Sequence, residues 1–236
     1  MNITNNMTLV HSGKTKAMYK GGSEDKPDYY LVFKDDATGT NGIFDPGANQ
    51  VGLTITDKAH ADIRLTEYFF RAVEQTGIIN THRISTDPDN VTMKIKPAKL
   101  FGKGLEFICR LRATGSFVRR YGIYIKDGAP LDYLVESTIK DDKHDDPPIT
   151  EATLLALGLL ARGQYDILTD LTKDIARIVE FELFRKGMEL YDIKFEFGLD
   201  ANGLIMLIDE ISTGSMRVYK DGKKLEPLEI TELFFA

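Results

Sequence analysis

Only one cysteine, Cys109, occurs in 236 residues, so the chain can form neither an internal disulfide nor a cysteine zinc cluster. No apolar run approaches the ~20 residues a helix needs to cross a bilayer. There is no basic excess: Lys and Arg number 30 against 36 Asp and Glu, for a net charge of −6. General nucleic-acid binding needs a basic face, so that function class is disfavoured. The N-terminus, MNITNNMTLVHSGKTK, shows no basic segment followed by an apolar core. No signal peptide is therefore expected, no membrane association, and the cytoplasm is the default location. Repeats and low-complexity segments are missing as well. What remains, 42% hydrophobic and 28% charged residues, is the composition of an ordinary soluble protein with one large domain or two modest lobes.

The most informative stretch is Tyr191–Arg217, YDIKFEFGLDANGLIMLIDEISTGSMR, which has the pattern of a β-hairpin. Asp192, Lys194 and Glu196 alternate with Ile193, Phe195 and Phe197. Asp200–Gly203 supplies a turn, and Leu204–Ile208 is the unbroken apolar run of a strand buried on both faces. Asp209 and Glu210 follow it directly. Alternating charge on a strand is commonly its solvated face. Here the apolar second arm argues for a central strand, whose neighbour turns its polar face into a cleft. Carboxylates gathered in a cleft are costly to bury unless they are paired or bound to a metal, and a divalent cation carrying a polyphosphate meets that need.

In chain order, residues 8–19 suggest strand, tight turn and strand. Gly13, Lys14 and Lys16 can cap a phosphate there, or form a plain surface turn, because the upstream glycine of a P-loop is missing and no helix follows. Tyr29–Phe33 is a short strand leading into a turn-rich segment, 34–52, expected to be an ordered functional loop or a mobile lid. Ala59–Thr76 is a helix ended by Gly77. In the strand region Ile84–Ile95, Val91, Met93 and Ile95 alternate with Thr92, Lys94 and Lys96. Pro97–Gly104 has the composition of a hinge and divides the chain into residues 1–97 and 98–236. Strand Leu105–Arg110, then Thr114-Gly115-Ser116 and a short helical segment, makes an anion site with Arg110, Arg112, Arg119 and Arg120. Arg119 and Arg120 are the readier of these to pair with surface acids. Lys140–Pro147 is a solvated charge run or the source of a metal carboxylate, and His144 alone is a weak ligand signal. Leu154–Leu160 and Tyr165–Met188 are helical, the second with an apolar stripe from Leu168 to Leu183.

Taken in this order, GKTKAMY, LEFICRLRATGSFVRRYG, DDKHDDP, YDIKFEFG and DEISTGSMR resemble the SAICAR synthetases, the phosphoribosylaminoimidazole-succinocarboxamide synthases of purine biosynthesis. The resemblance covers nearly the whole chain. The family forms are GKAK-x-x-Y, E-x-x-x-R-N-x-x-A-G-S-x-x-x-R, a D-P loop, D-F-K-x-E-F-G and D-E-x-S-P-D-x-x-R. The resemblance implies a two-lobed α+β fold. Residues 1–97 would form an antiparallel β lobe similar to the nucleotide lobe of kinases and ATP-grasp enzymes, and residues 98–236 a larger α+β lobe with substrate and metal sites. It implies an ATP-dependent ligase that joins carboxyaminoimidazole ribonucleotide to L-aspartate through an acyl phosphate, with Mg2+ as cofactor and a homodimer as a frequent assembly. By motif, Gly13, Lys14, Lys16, Lys94, Lys96, Glu196 and Asp209 would bind ATP, and Lys194, Glu196 and Asp209 would serve catalysis. Glu106, Asp146, Glu196 and Asp209 would hold the metal, and Arg110, Ser116, Ser212 and Arg217 the ribonucleotide.

The chain also departs from the pattern. S-P-D is here Ser212-Thr213-Gly214, so a substrate-binding aspartate is replaced by glycine. The asparagine after the first arginine is Leu111, the aromatic-Asp pair after the last is replaced by Val218-Tyr219-Lys220, and AKLFGKG lengthens the hinge. The sequence stops at Ala236, where the family usually continues into a long basic helix. These changes bear on the substrate more than on ATP. They admit a related carboxylate-amine ligase with another substrate, or a non-catalytic nucleotide-binding paralogue. The apolar run Leu233–Phe235 suits a dimer interface or a fold back onto its own core.

Overall fold

Strands β1 (Thr8–Ser12), β2 (Lys16–Gly22) and β3 (Pro27–Phe33) open the computed structural model as an antiparallel meander around the Gly13 turn. The structure describes residues 7–236; the first six residues of the segment considered for a signal peptide lie outside the described residues. Next come β4 (Asp36–Thr40), β5 (Ile43–Phe44), β6 (Val51–Thr54), α1 (Lys58–Thr76), β7 (Asn80–Thr81), β8 (Arg83–Asp87) and β9 (Thr92–Ile95). The second half contains β10 (Lys99–Leu100), β11 (Leu105–Arg112), α2 (Gly115–Tyr121), β12 (Pro130–Ile139), α3 (Glu151–Ala156) and α4 (Gln164–Phe184). It ends with β13 (Glu189–Leu199), β14 (Ile205–Ile208), β15 (Met216–Lys220), β16 (Lys223–Lys224) and α5 (Pro227–Phe235).

Two main sheets face each other across a cleft. The first has the order β1-β2-β3-β9-β8, and the second runs β12-β11-β13-β14-β7 with β10 and β15 also paired to β13. This is the α+β architecture the sequence implies. The division after residue 97 separates the two sheets except at β7, which joins the larger one in parallel through Met206↔Asn80. Helix α1 also crosses it. Its Ala59 and Ile63 fill the small core with Leu31, Phe33 and Met93, whereas Leu65, Phe69, Phe70 and Val73 fill the large one. Residues 1–97 therefore hold a small core of their own and lend the other face of α1 to the large one.

The large core lies between the second sheet and helices α1, α4 and α5. Leu168, Ile175, Val179 and Leu183 of α4 are fully buried there, each worth about 1.5–3 kcal/mol relative to exposure. Against them pack Ile193, Phe195 and Phe197, the apolar set of the alternating hairpin arm. The run at the C-terminus folds back on its own core: Phe234 stacks edge-on to Tyr68 at 4.8 Å and meets Phe69 at 5.2 Å.

The turn-rich segment, expected as an ordered functional loop or a mobile lid, contains a small sheet, β5-β4-β6. Gly39 and Gly52 meet backbone to backbone where these strands cross, and a Cβ on either would overlap the chain opposite. That close approach explains a glycine content which, without an alignment, looks like loop composition. Helix α3 starts earlier than its apolar residues suggest, because Thr150 caps it by accepting from the Thr153 N–H at 3.3 Å.

Candidate active site

The floor of the cleft is one face of β13 with its neighbours. Register pairs Glu106 with Glu196, Ile108 with Lys194 and Arg110 with Asp192 on β11, while Asp192 pairs with Arg217 on β15. Side chains alternate along a strand, so the charged set turns toward the cleft and the apolar set toward the core. Glu196 lies four residue steps along the strand from Asp192, about 13 Å. The floor therefore has an acidic pole and an arginine pole, joined by Lys194. The cleft above it encloses about 1330 Å³.

At the acidic pole every carboxylate meets a lysine. Lys194 Nζ lies 2.7 Å from Glu106 Oε1, Lys140 Nζ 2.8 Å from Glu196 Oε1, and Lys16 Nζ 3.1 Å from Asp209 Oδ1. Lys16 also pairs with Glu210. Thr138 donates to the second oxygen of Glu106 at 3.0 Å. Glu106, Glu196, Asp209 and Glu210 thus face three ammonium groups, leaving one negative charge in excess. Burial works against the charged forms of Glu106, Glu196 and Asp209, but they respond differently. Lys194 brings Glu106 below the usual range, and Lys16 brings Asp209 to about 2. Glu196 rises, first through burial and then through the charge of Asp209. Burial also opposes the charge of Lys194, yet Glu106 and Glu196 beside it raise its pKa.

The arginine pole is built around Asp192, which is 2% exposed. Its Oδ2 accepts from Arg110 Nη1 at 2.7 Å and from Arg217 Nη1 at 2.6 Å. Arg110 further donates to Glu136 at 2.6 Å and to Ser116 Oγ at 3.0 Å. Arg217 Nη2 reaches Asp45 at 2.6 Å. Gly115, at φ +55°, lies flat on the Arg217 guanidinium, where a Cβ would come within 2.6 Å of Cζ. Gly47 packs against the same group. Arg120 pairs with Glu136 at 2.5 Å and Arg119 lies 3.7 Å from Asp45, so both reach acids.

Between the lobes, Met18, Leu31, Ile95, Ala98 and Ile208 line an apolar shelf in the cleft. The Gly13 turn is closed by its N–H donating to Lys16 O at 2.9 Å. Lys14 reaches across the mouth to Asp142 at 2.7 Å, and Lys96 lines the cleft with its ammonium 3.3 Å from Thr81 O. Asp146 lines the cleft too, raised above the ordinary carboxylate range first by burial; its Oδ1 accepts from the Asp141 N–H at 2.6 Å.

Two sequence expectations need correction. Lys94 points to the other face of the first sheet, where it pairs with Asp28 at 2.8 Å, because the period of 2 that puts Met93 and Ile95 inward puts Lys94 outward. Ser212 is fully buried and does not line the cleft: its Oγ donates to Glu210 at 2.6 Å and accepts from the Gly214 N–H at 3.1 Å. The four acids expected to hold a metal, Glu106, Asp146, Glu196 and Asp209, all line the cleft, three of them paired with lysines. Among the described residues no three acidic, histidine or cysteine side chains are close enough to hold a metal as they stand, since lysines separate the acids.

Sequence reasoning missed His82, which lines the cleft and is 3% exposed. Its Nε2–H donates to the Asp209 carbonyl at 3.0 Å, steadying a residue at φ +66°. Nothing in the spacing of Thr81-His82-Arg83 marks it out. Burial pushes the ring down to about 4 from its ordinary 6.5. The unfolded chain takes up this proton below pH 6.5 and the folded chain only near pH 4, so stability is full above that window and falls on acidification through it. The expected contribution is about 3 kcal/mol. Urea unfolding should show His82→Gln, which keeps a donor but does not titrate, losing less stability than the parent between pH 6.5 and 4; parallel curves would assign the loss elsewhere.

The sequence profile described as SAICAR synthetase matches residues 9–229. The phosphoribosylaminoimidazole-succinocarboxamide synthase of Clostridium tetani (strain Massachusetts / E88) is 55% identical over 228 residues, covering 96% of this chain and 99% of its own. That of Thermotoga maritima is 35% identical, covering 91% of this chain and 86% of its own. A solved SAICAR synthetase in complex with ADP superposes with a TM-score of 0.80 at 26% identity, covering 95% of each chain. With this order of strands, this two-pole floor and these matches, the chain belongs to the SAICAR synthetase family.

Proposed function

We propose that this cleft joins carboxyaminoimidazole ribonucleotide to L-aspartate using ATP, the reaction that names its relatives. The observation that carries this reading is the two-pole floor, which offers lysines and carboxylates for a metal-bound polyphosphate at one end and paired guanidiniums for a second anion about 13 Å away. The adenine lies on the apolar shelf, and Gly13, Lys14 and Lys16 meet the phosphates. Arg110, Ser116 and Arg217 hold the ribonucleotide by its phosphate.

The acidic pole fits Mg2+. Its donors are hard carboxylate oxygens, it carries one negative charge in excess, and the charged form of Glu196 is disfavoured without a further cation. The lysine on Glu196 is also the most replaceable of the three, since the Lys140 side chain is 44% exposed against 30% for Lys194 and 12% for Lys16. Glu196 and Asp209, with Glu106 beside them, would hold the ion. When bound it supplies charge neutralisation on the β- and γ-phosphates.

A carboxylate oxygen of the ribonucleotide attacks the γ-phosphorus and ADP leaves, giving an acyl phosphate. The amine of L-aspartate then attacks the acyl carbon, the C–N bond forms, the C–O bond breaks and phosphate departs. Lys194 and Lys16 offset the charge that develops during phosphoryl transfer. Asp146, unpaired with any lysine, takes the proton lost by the amine.

Gly214 favours one second reading. A Cβ there would meet Glu210 Oε1 at 3.5 Å and Lys58 Nζ at 3.9 Å, both ordinary contacts, so neither packing nor backbone demands glycine. The cleft wall simply carries no side chain there, and a ligase for a different acid or amine accounts for that. ADP release separates the two. With ATP, magnesium, L-aspartate and carboxyaminoimidazole ribonucleotide, ADP should appear only when all four are present, together with the succinocarboxamide product. ADP formed with another acid or amine, and none with this mixture, supports the second reading.

A further inference from the structure

The segment between β5 and β6 runs along the mouth of the cleft and is tied down at both ends. Near its start, Lys224 donates to Phe44 O at 2.7 Å, and Thr38 Oγ1 donates to Asp45 O at 2.8 Å. Near its end, Asn49 Nδ2 donates to Asp145 at 2.8 Å. Asp45 itself turns its carboxylate inward onto the arginine pole. The Gly47 N–H donates to its Oδ1 at 3.0 Å and fixes that orientation. Arg217 Nη2 meets the same oxygen at 2.6 Å, and Arg119 Nη1 lies 3.7 Å from the other.

Arg217 therefore has two carboxylate partners of different kinds. The Asp192 side chain is 3% exposed and bridges two strands of the floor, so it stays. The Asp45 side chain is 31% exposed and arrives from a segment 172 residues away in sequence, so it can be exchanged. Burial would raise its pKa, but Arg217, the Gly47 N–H and Lys224 lower it, and it sits there as an anion.

Charge decides what can take its place. Arg110, Arg119, Arg120 and Arg217 are ion-paired with Asp45, Glu136 and Asp192, four positive charges against three negative. With Asp45 withdrawn, two of the four guanidinium charges are unmatched, and Lys224, held on Phe44 O, stands beside them. A phosphate monoester, which carries close to two negative charges at neutral pH, balances them, whereas a single carboxylate leaves one over. Its tetrahedral oxygens also suit two guanidinium forks at once.

We propose that Asp45 is a specificity-determining residue, a tethered carboxylate that fills the Arg217–Arg119 seat and yields it to a phosphate monoester but not to a monocarboxylate. In a ligase whose two substrates both carry carboxylates, such an occupant keeps the amino-acid substrate out of the phosphate seat. The inference rests on the ribonucleotide reading of the arginine pole. Its test uses bare anions without turnover, so either can fail while the other stands.

The probes are inorganic phosphate and acetate, titrated calorimetrically at fixed ionic strength into the parent, Asp45→Asn, Asp45→Ala and Arg217→Ala. Both Asp45 variants should bind phosphate at least tenfold more tightly than the parent. Acetate should become measurable in both, so that the preference for phosphate over acetate shrinks. The gain should vanish when Arg217→Ala is added to Asp45→Asn, which places it at this seat. A residue that merely shaped the loop would weaken anion binding when replaced. Equal or weaker phosphate binding in both Asp45 variants, an unchanged preference, or no phosphate binding by any of the proteins overturns the proposal.

Discussion

Lys194→Met should lower the rate of ADP release with the complete substrate mixture by roughly 10²–10³-fold while the protein stays folded. Lys194 stands where the two poles meet, and its ammonium is held 2.7 Å from Glu106. Without it four carboxylates of the acidic pole face two ammonium groups, and the excess grows from one negative charge to two. ATP then enters a more negative site, so its KM should rise as kcat falls. Lys194→Arg, which restores charge but not shape, should recover part of the KM and little of the kcat. Lys140→Met is the informative contrast. That side chain is 44% exposed and its partner Glu196 is the acid a magnesium ion would claim, so the loss should be several-fold and should shrink at high magnesium. Initial rates beside a thermal melt decide this. A Lys194→Met enzyme within a few-fold of the parent would remove Lys194 from the reaction, and equal losses in both variants would mean that total charge alone matters.

Much of this site was legible because it lies on a hairpin. In Tyr191–Phe197 a period of 2 separates cleft from core without any knowledge of the rest, and the apolar run Leu204–Ile208 shows that the hairpin is central. The same period was available for Lys94, but alternation says only that Lys94 opposes Met93; which face meets the cleft depends on β3 and α1, which the local pattern does not contain. The segment 34–52 escaped for a related reason. Its strands come closest where Gly52, in a register shift, lies against the Gly39 backbone; glycines lower strand propensity and are used here for contact between backbones. Ser212 sits inside a recognisable motif, yet its work is local: it caps the turn that holds Glu210 under Lys16. His82 and Asp45 had no sequence signal, because each acts on a partner more than 120 residues away through a contact that only the tertiary fold creates.

Asp192→Asn should cost about 3 kcal/mol of stability and lower the melting temperature by roughly 10 °C. One oxygen of Asp192 accepts from both Arg110 and Arg217 at 2.7 and 2.6 Å, in a place 2% exposed to solvent. Asparagine matches the shape but brings no charge, and its amide can point a donor at a guanidinium. Truncating one partner of a buried ion pair is expensive because the other charge is left behind. The figure lies at the low end of that range because neither arginine is stranded: Arg110 keeps Glu136 and Arg217 keeps Asp45. A double-mutant cycle tests the cause. Arg217→Met alone removes a cation from the same pair, and combined with Asp192→Asn it should be less destabilising than the two single changes added together. Additive losses would show that the two side chains do not act as a pair. The variants should also part in function. Asp192→Asn leaves both guanidiniums in place with one competing carboxylate fewer, so phosphate binding should survive in the folded fraction, whereas Arg217→Met should abolish it. If Asp192→Asn is as stable as the parent, water reaches these guanidiniums, and the arginine pole is an open surface cluster rather than a buried seat.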